Sequence, residues 1–182
     1  MNTGRIALQL DELLCDLTPD QAAALRAALP TGFRDQLDAA ATHTRQSLAA
    51  ATAAGVLTRH APIPTADHPA WIRLGITDTL VRWHAGSADT CMHAPHPLRP
   101  RPVFAAAWRP GLVVCGACGH LLAIPPDSDT DRTCDGCGKV TAGPAHDDPI
   151  YPLTIVCGAL TYQAGACRDC QYVGQAGADH DR

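Results

Sequence analysis

Residues 115–138 read CGACGHLLAIPPDSDTDRTCDGCG, two Cys-x-x-Cys pairs with fifteen residues between them, and the fold turns on this stretch. Two residues between cysteines let a tight turn aim both sulfurs at one ion about 2.3 Å away, while turn N–H groups donate to the thiolates. Outward from it, a third pair follows at Cys167-Arg168-Asp169-Cys170, and Cys91-Met92-His93 stands upstream. Three Cys-x-x-Cys pairs fall within 56 residues, a density that chance explains poorly. With Cys91/His93 they make four ligand pairs, and eight ligands are what two closed tetrahedral sites require.

Glycine after the second cysteine eases such a turn, and Gly119 and Gly138 occupy that place. The resulting Cys-Gly-Ala-Cys-Gly and Cys-Asp-Gly-Cys-Gly resemble the zinc knuckles of zinc-ribbon and treble-clef proteins, a broad structural class. The resemblance covers roughly residues 91–172 and implies two Zn²⁺ ions held by Cys91, His93, Cys115, Cys118, Cys134, Cys137, Cys167 and Cys170. Iron–sulfur ligation is the nearest rival. A dithiol oxidoreductase ranks below it, because no strand–helix frame of thioredoxin type surrounds any pair. Haem attachment fails on the residues, since Gly119 intervenes between Cys118 and His120.

Three groupings of the pairs are open. A ribbon joins Cys115/Cys118 to Cys134/Cys137 and leaves Cys91/His93 with Cys167/Cys170. A consecutive scheme joins Cys91/His93 to Cys115/Cys118, and Cys134/Cys137 to Cys167/Cys170. A cross-brace pairs Cys91/His93 with Cys134/Cys137. The consecutive scheme is favoured because Leu153–Val156 and Leu160–Tyr162 flank Gly158 as a hairpin, and knuckle, hairpin, final pair is the treble-clef order. His96 competes with His93, which fits the paired spacing better. His84, His120 and His146 read as ordinary surface or capping residues. Cys15 and Cys157 have no paired neighbour and read as small buried apolar residues.

The first half carries a different pattern. Ile6, Leu10, Leu13 and Leu17 recur at helical spacing. Thr18-Pro19-Asp20-Gln21 then has the form of a capping box with Pro at the first helical position, predicting a second helix over 19–29. After Pro30, Thr31 caps a third helix with Phe33, Leu37, Ala41 and Leu48 on one side and Gly55 at its end. Residues 58–69, with three prolines, read as a connector. A fourth helix places Ile72, Ile76, Leu80 and Trp83 on one face, flanked by Trp71 and Val81, and Gly86 closes it. The expectation is an α+β protein of about four helices and a zinc-stabilised β-rich module. Its divisions are a helical domain at 1–88, a two-zinc module at 89–175 and a flexible tail at 176–182.

Composition narrows the function. Aromatic residues are only 4% of the 182, so the apolar 46% is mostly small side chains that bury little area each, and metal would supply folding energy. Asp11, Glu12 and Asp16 interrupt any apolar signal core, which points to the cytoplasm, where thiols stay reduced. Each half has nine acidic and seven basic side chains. Seven thiolates and two divalent ions take the second half from −2 to about −5, which disfavours phosphate binding. Arg99, Arg101 and Arg109 are the one local basic group there.

No phosphate loop, Gly-x-Ser-x-Gly or His-Glu-x-x-His is present, and four ligands per ion leave no position for activated water. A water position opens only if Cys91 or His93 does not ligate. Asp127, Asp129 and Asp131 lack the Gly and terminal Glu of an EF-hand and read as a solvated turn. The expected function is a non-enzymatic zinc module whose helical half serves assembly or protein recognition. The alternative is a nucleic-acid-binding regulator using Arg99, Arg101, Arg109 and the knuckle tips.

Overall fold

The computed structural model describes residues 3–55 and 67–171. Most of the expected connector and all of the expected tail lie outside these residues. Four helices are followed by a small five-stranded sheet, an α+β architecture: α1 (Thr3–Cys15), α2 (Pro19–Ala27), α3 (Thr31–Ala53), α4 (Ala70–His84), β1 (Asp89–Thr90), β2 (Val103–Ala106), β3 (Leu112–Cys115), a short α5 (Asp129–Arg132), β4 (Tyr151–Cys157) and β5 (Leu160–Ala166). Among the described residues no helix is long and apolar enough to cross a membrane.

The capping box forms as read: Gln21 N–H donates to Thr18 Oγ1 at 3.2 Å, and Thr18 N–H to Gln21 Oε1 at 2.9 Å. Thr31, by contrast, caps nothing. Pro30 takes the N-cap position of α3 and Thr31 is its first helical residue. Gly55 and Gly86 end α3 and α4 with φ of +72° and +69°, backbone that favours glycine.

Burial on α1 departs from its leucine pattern. The fully buried residues are Ala7 and Asp11, whereas Ile6 and Leu10 are half-buried and Leu13 is 65% exposed. An ion pair decides this: Arg73 of α4 donates through Nε and Nη2 to the two Asp11 carboxylate oxygens at 3.3 and 3.2 Å, and through Nη1 to His68 C=O at 2.8 Å. A fork-shaped guanidinium on a carboxylate fixes both distance and rotation between helices. α1 is therefore turned so that its leucine stripe lies half outside. Cys15, expected inside, is exposed, because α2 beyond it buries none of its own residues and covers nothing.

On α3 the fully buried positions are Ala40 and Thr44, one step round from the expected Phe33, Leu37, Ala41 and Leu48, which are half-buried. Small residues let the helix approach the β4–β5 turn closely enough for Thr44 Oγ1 to reach Ala159 C=O at 3.4 Å while also bonding Ala40 C=O. On α4, Ile72, Ile76 and Trp83 are buried as expected and Leu80 packs against them. They meet Val103, Ala105, Val113, Leu153, Ile155, Leu160 and Tyr162, so the main core joins α4 to one face of the sheet. Gly75 makes this possible, since a Cβ there would overlap Tyr162 Oη.

Strand order is β1-β3-β2-β5-β4. β4 and β5 form the expected hairpin, antiparallel from Tyr151↔Ala166 to Cys157↔Leu160, with Gly158 at φ +59° in its turn. β2 joins it in parallel and β3 antiparallel to β2, while two-residue β1 lies parallel to β3. These three short strands were not evident in the sequence. β2 is half alanine behind Pro102 and shows no alternation of polar and apolar residues.

Candidate metal centres

The first centre is assembled by β1 and β3. Parallel pairing of Asp89 with Leu112 and Thr90 with Val113 brings the next residue, Cys91, beside Cys115 at the end of β3, whose N–H points to Cys91 Sγ at 3.5 Å. The chain then reverses through Met92 and His93. Ala94 N–H closes on Cys91 C=O at 2.8 Å, with Ala94 at φ +41°, a conformation costly for an L residue with a side chain. After Cys115, a 3₁₀ segment (Gly116–Leu122) presents Cys118 and is held at its far end by Trp108 Nε1–H donating to Leu122 C=O at 2.9 Å. Cys91 and Cys115 Sγ stand 3.8 Å apart, and His93 Nδ1 lies 3.2 Å from Cys118 Sγ and 3.4 Å from Cys115 Sγ. His96, the competing histidine, instead accepts from Leu98 N–H.

The second centre joins a loop to the end of the hairpin. Cys134 N–H donates to Lys139 C=O and Gly138 N–H to Cys134 C=O, both at 2.8 Å, with Gly138 at φ +74°; this is the expected glycine-eased knuckle. Gly119 at the first centre has no such conformation, because the 3₁₀ path keeps its φ negative. Asp135 clamps the knuckle to β5: its N–H donates to Gly165 C=O at 2.8 Å and its Oδ2 accepts from Gly165 N–H at 2.6 Å. Cys167 leaves β5 directly, Cys170 turns back onto it with N–H to Cys167 C=O at 3.0 Å, and Cys137 and Cys167 Sγ are 3.8 Å apart.

The eight side chains thus fall into two groups, Cys91, His93, Cys115, Cys118 and Cys134, Cys137, Cys167, Cys170, with ligand atoms in each within 4.8 Å of one another. This is the consecutive grouping. All nine cysteines are free thiols. A tetrahedron centred on an ion about 2.3 Å from each sulfur has edges of about 3.8 Å, the spacing found here. Each group could hold one metal ion. Cys157 is half-buried at the end of β4, and His120 and His146 are exposed. Asp127, Asp129 and Asp131 form the expected solvated turn, with Asp131 Oδ2 accepting from Asp127 N–H and Asp129 paired to Arg132.

Without an ion the thiols are in electrostatic conflict. Burial would raise the Cys91 thiol, but N–H groups of Cys115 and His93 and the neighbouring thiols bring it down to about 7. Cys118 is pushed up to about 11 by burial and by Cys91 and Cys115. The second group repeats this: Cys134 falls to about 7, N–H donors from Cys167, Cys137 and Gly136 overcoming burial, and Cys170 rises to about 12 through burial and its three neighbours. Cys91 and Cys134 ionise readily while Cys118 and Cys170 resist, and a divalent cation removes that resistance by stabilising the thiolates around it together.

α4 reaches both centres with its two tryptophans. Trp83 near its C-terminus donates from Nε1 to buried Pro95 C=O at 2.9 Å, tying down the segment that follows His93. Trp71 near its N-terminus packs on the second knuckle so tightly that a Cβ on Gly136 would sit 3.0 Å from Trp71 Cε2 and 3.2 Å from Cys170 Sγ. The sequence marks both residues only as core aromatics, and their spacing by one helix length is the signal that was available. Comparison of the chain with protein-family models, with curated proteins and with solved structures finds no match to any of them.

Proposed function

We propose that this chain is a non-enzymatic structural zinc protein of ribbon or treble-clef type, with two Zn²⁺ ions as scaffold and its N-terminal helices as an assembly or protein-recognition surface. The observation that carries the zinc reading is the pair of four-donor groups at tetrahedral spacing, seven sulfurs and one imidazole nitrogen. Soft thiolates with imidazole suit Zn²⁺, and an iron–sulfur cluster would spread its cysteines over several metal atoms. Four protein donors close the shell, so the ion acts as a cross-link and has no place for reactive water. A reducing compartment such as the cytoplasm keeps the thiols available.

Support for the helical surface comes from α1. Ile6, Leu10, Leu13 and Leu14 share one side of the helix, yet only the neighbouring line of Ala7 and Asp11 is fully buried, and Leu13 and Leu14 are exposed. An apolar face left open in this way marks a protein contact. Elemental analysis of protein purified without added metal should give two equivalents of zinc, and well under two would contradict the reading. Sedimentation or light scattering should show self-association, or a captured partner, that Leu13→Glu weakens at least about tenfold. A monomer indifferent to that substitution would remove the assembly part and leave the zinc part standing.

A further inference from the structure

Between α3 and the sheet face opposite α4 runs a groove made of two connected cavities. The outer one, about 630 Å³, lies between α3 and the segment after the first metal centre. The inner one, about 540 Å³, lies under α3 against Phe104. They share His43, Arg101 and Pro102 at their junction, and either volume is in the range that holds a small molecule.

The two cavities differ in chemistry. The outer one is lined by Arg99 and Arg101 with three histidines, and no carboxylate lines either cavity, although the chain as a whole is acidic at −4. Arg99 forms no ion pair among the described residues, and Arg101 gives only one Nη2 bond, to His93 C=O at 2.6 Å. Two guanidiniums with no carboxylate partner among the described residues, beside a recess that Cys115 of the first metal centre also lines, can receive an anion. The inner cavity offers Phe104, Leu48 and Ala51 as walls, with the Thr161 and Gln163 side chains along one edge.

We propose that this groove is a binding site for a small organic anion, its carboxylate or phosphate head on Arg101 and Arg99 and its apolar body under α3 against Phe104 and Leu48. The first metal centre sits at its mouth and orders the segment that carries both arginines, through the Arg101–His93 bond and the Trp83–Pro95 bond. A long polyanion is a poorer fit, because the apolar recess lies under a helix and cannot be traversed by a charged backbone.

The test uses the full metal-loaded chain, with metal content measured in every sample. Calorimetric titration compares 1-naphthyl phosphate and 1-naphthoate with 1-naphthol and inorganic phosphate. Saturable one-to-one binding of either amphiphilic anion, at least about tenfold tighter than of naphthol or inorganic phosphate, supports the site, and the stronger of the two names the head group. Arg101→Gln should weaken that binding about tenfold or more, whereas Arg109→Gln, outside the groove, should leave it unchanged. Should Arg101→Gln release metal, Arg99→Gln makes the same test from a side chain with no ion-pair partner among the described residues, and Ala51→Trp blocks the inner cavity. Equal affinity for naphthol, no saturable binding, loss no greater than in Arg109→Gln, or tighter binding of a single-stranded oligonucleotide through the same arginines would each overturn the proposal. Metal content separates this outcome from failure of the zinc reading.

Discussion

The two metal centres hold the same kind of donors and sit in different mechanical settings. At the first, the structure around the ligands has support of its own: β1 pairs with β3, and Ala106, Val114 and Leu122 pack with Phe104 and Trp108 into a second apolar cluster around Cys91, Cys115 and Cys118. At the second, the regular structure in residues 133–150 is only a three-residue 3₁₀ segment and two isolated bridges, Thr133↔Val140 and Gly143↔Asp148. That loop is attached to the rest of the molecule by Cys134 and Cys137, the Asp135–Gly165 clamp, Arg168 on Asp147 and Trp71 of α4. The lesson is that similar donor sets can play unequal roles: the first ion finishes a corner that already packs, and the second holds a loop with little regular structure of its own.

Four experiments bear on this contrast. Removing both ions with a strong chelator has the largest effect, because a structural zinc supplies about 10–16 kcal/mol and a whole domain is stable by only about 5–15 kcal/mol. The near-ultraviolet dichroism of Trp71 and Trp83 should be lost and should return on adding zinc. Next come single ligand losses: Cys134→Ser should lower the melting temperature more than Cys115→Ser and should expose residues 133–150 to hydrogen exchange. Equal losses from the two variants would erase the contrast.

Smaller effects come from the helix that spans the two centres. Trp83→Phe removes the donor to a buried carbonyl, at a cost of about 1–3 kcal/mol, and should weaken zinc retention at the first centre while sparing the second. Competition with a chromophoric chelator would resolve one weakened equivalent, and weakening of both would deny α4 its separate contacts. Last is a gain: Ala94→Gly relieves a left-handed alanine next to a ligand and should stabilise the protein by about 1 kcal/mol, read by denaturant titration. A loss there would show that the Ala94 methyl group has a packing role.

Much of this organisation was legible in the sequence because its causes are local. Cys-x-x-Cys spacing, the Thr18–Gln21 box, the α4 stripe and the Gly158 hairpin each depend on residues within one or two turns of each other. What escaped depends on partners far along the chain. The Asp11–Arg73 ion pair spans 62 positions and overrode the leucine pattern that had set the face of α1. Thr44 looks neutral in α3 until Ala159, 115 residues on, supplies its acceptor. Gly119 and Gly138 occupy the same place in the same motif, yet only Gly138 takes a left-handed turn, because Leu122 and Trp108 draw the first knuckle into a 3₁₀ path. Arg101 reads as part of a Pro-rich basic run, and its place on His93 requires the metal-site turn to exist first.

X-ray absorption at the zinc edge of protein purified without added metal tests the central claim most directly, since it reports the element and its donors together. The account predicts two zinc ions per chain with a mean shell of three and a half sulfurs and half a nitrogen, the average of a Cys₃His and a Cys₄ site. Metal–sulfur distances should be about 2.3 Å. Absence of zinc, a second metal atom scattering at short range, or light oxygen or nitrogen donors making up half of the shell would contradict it.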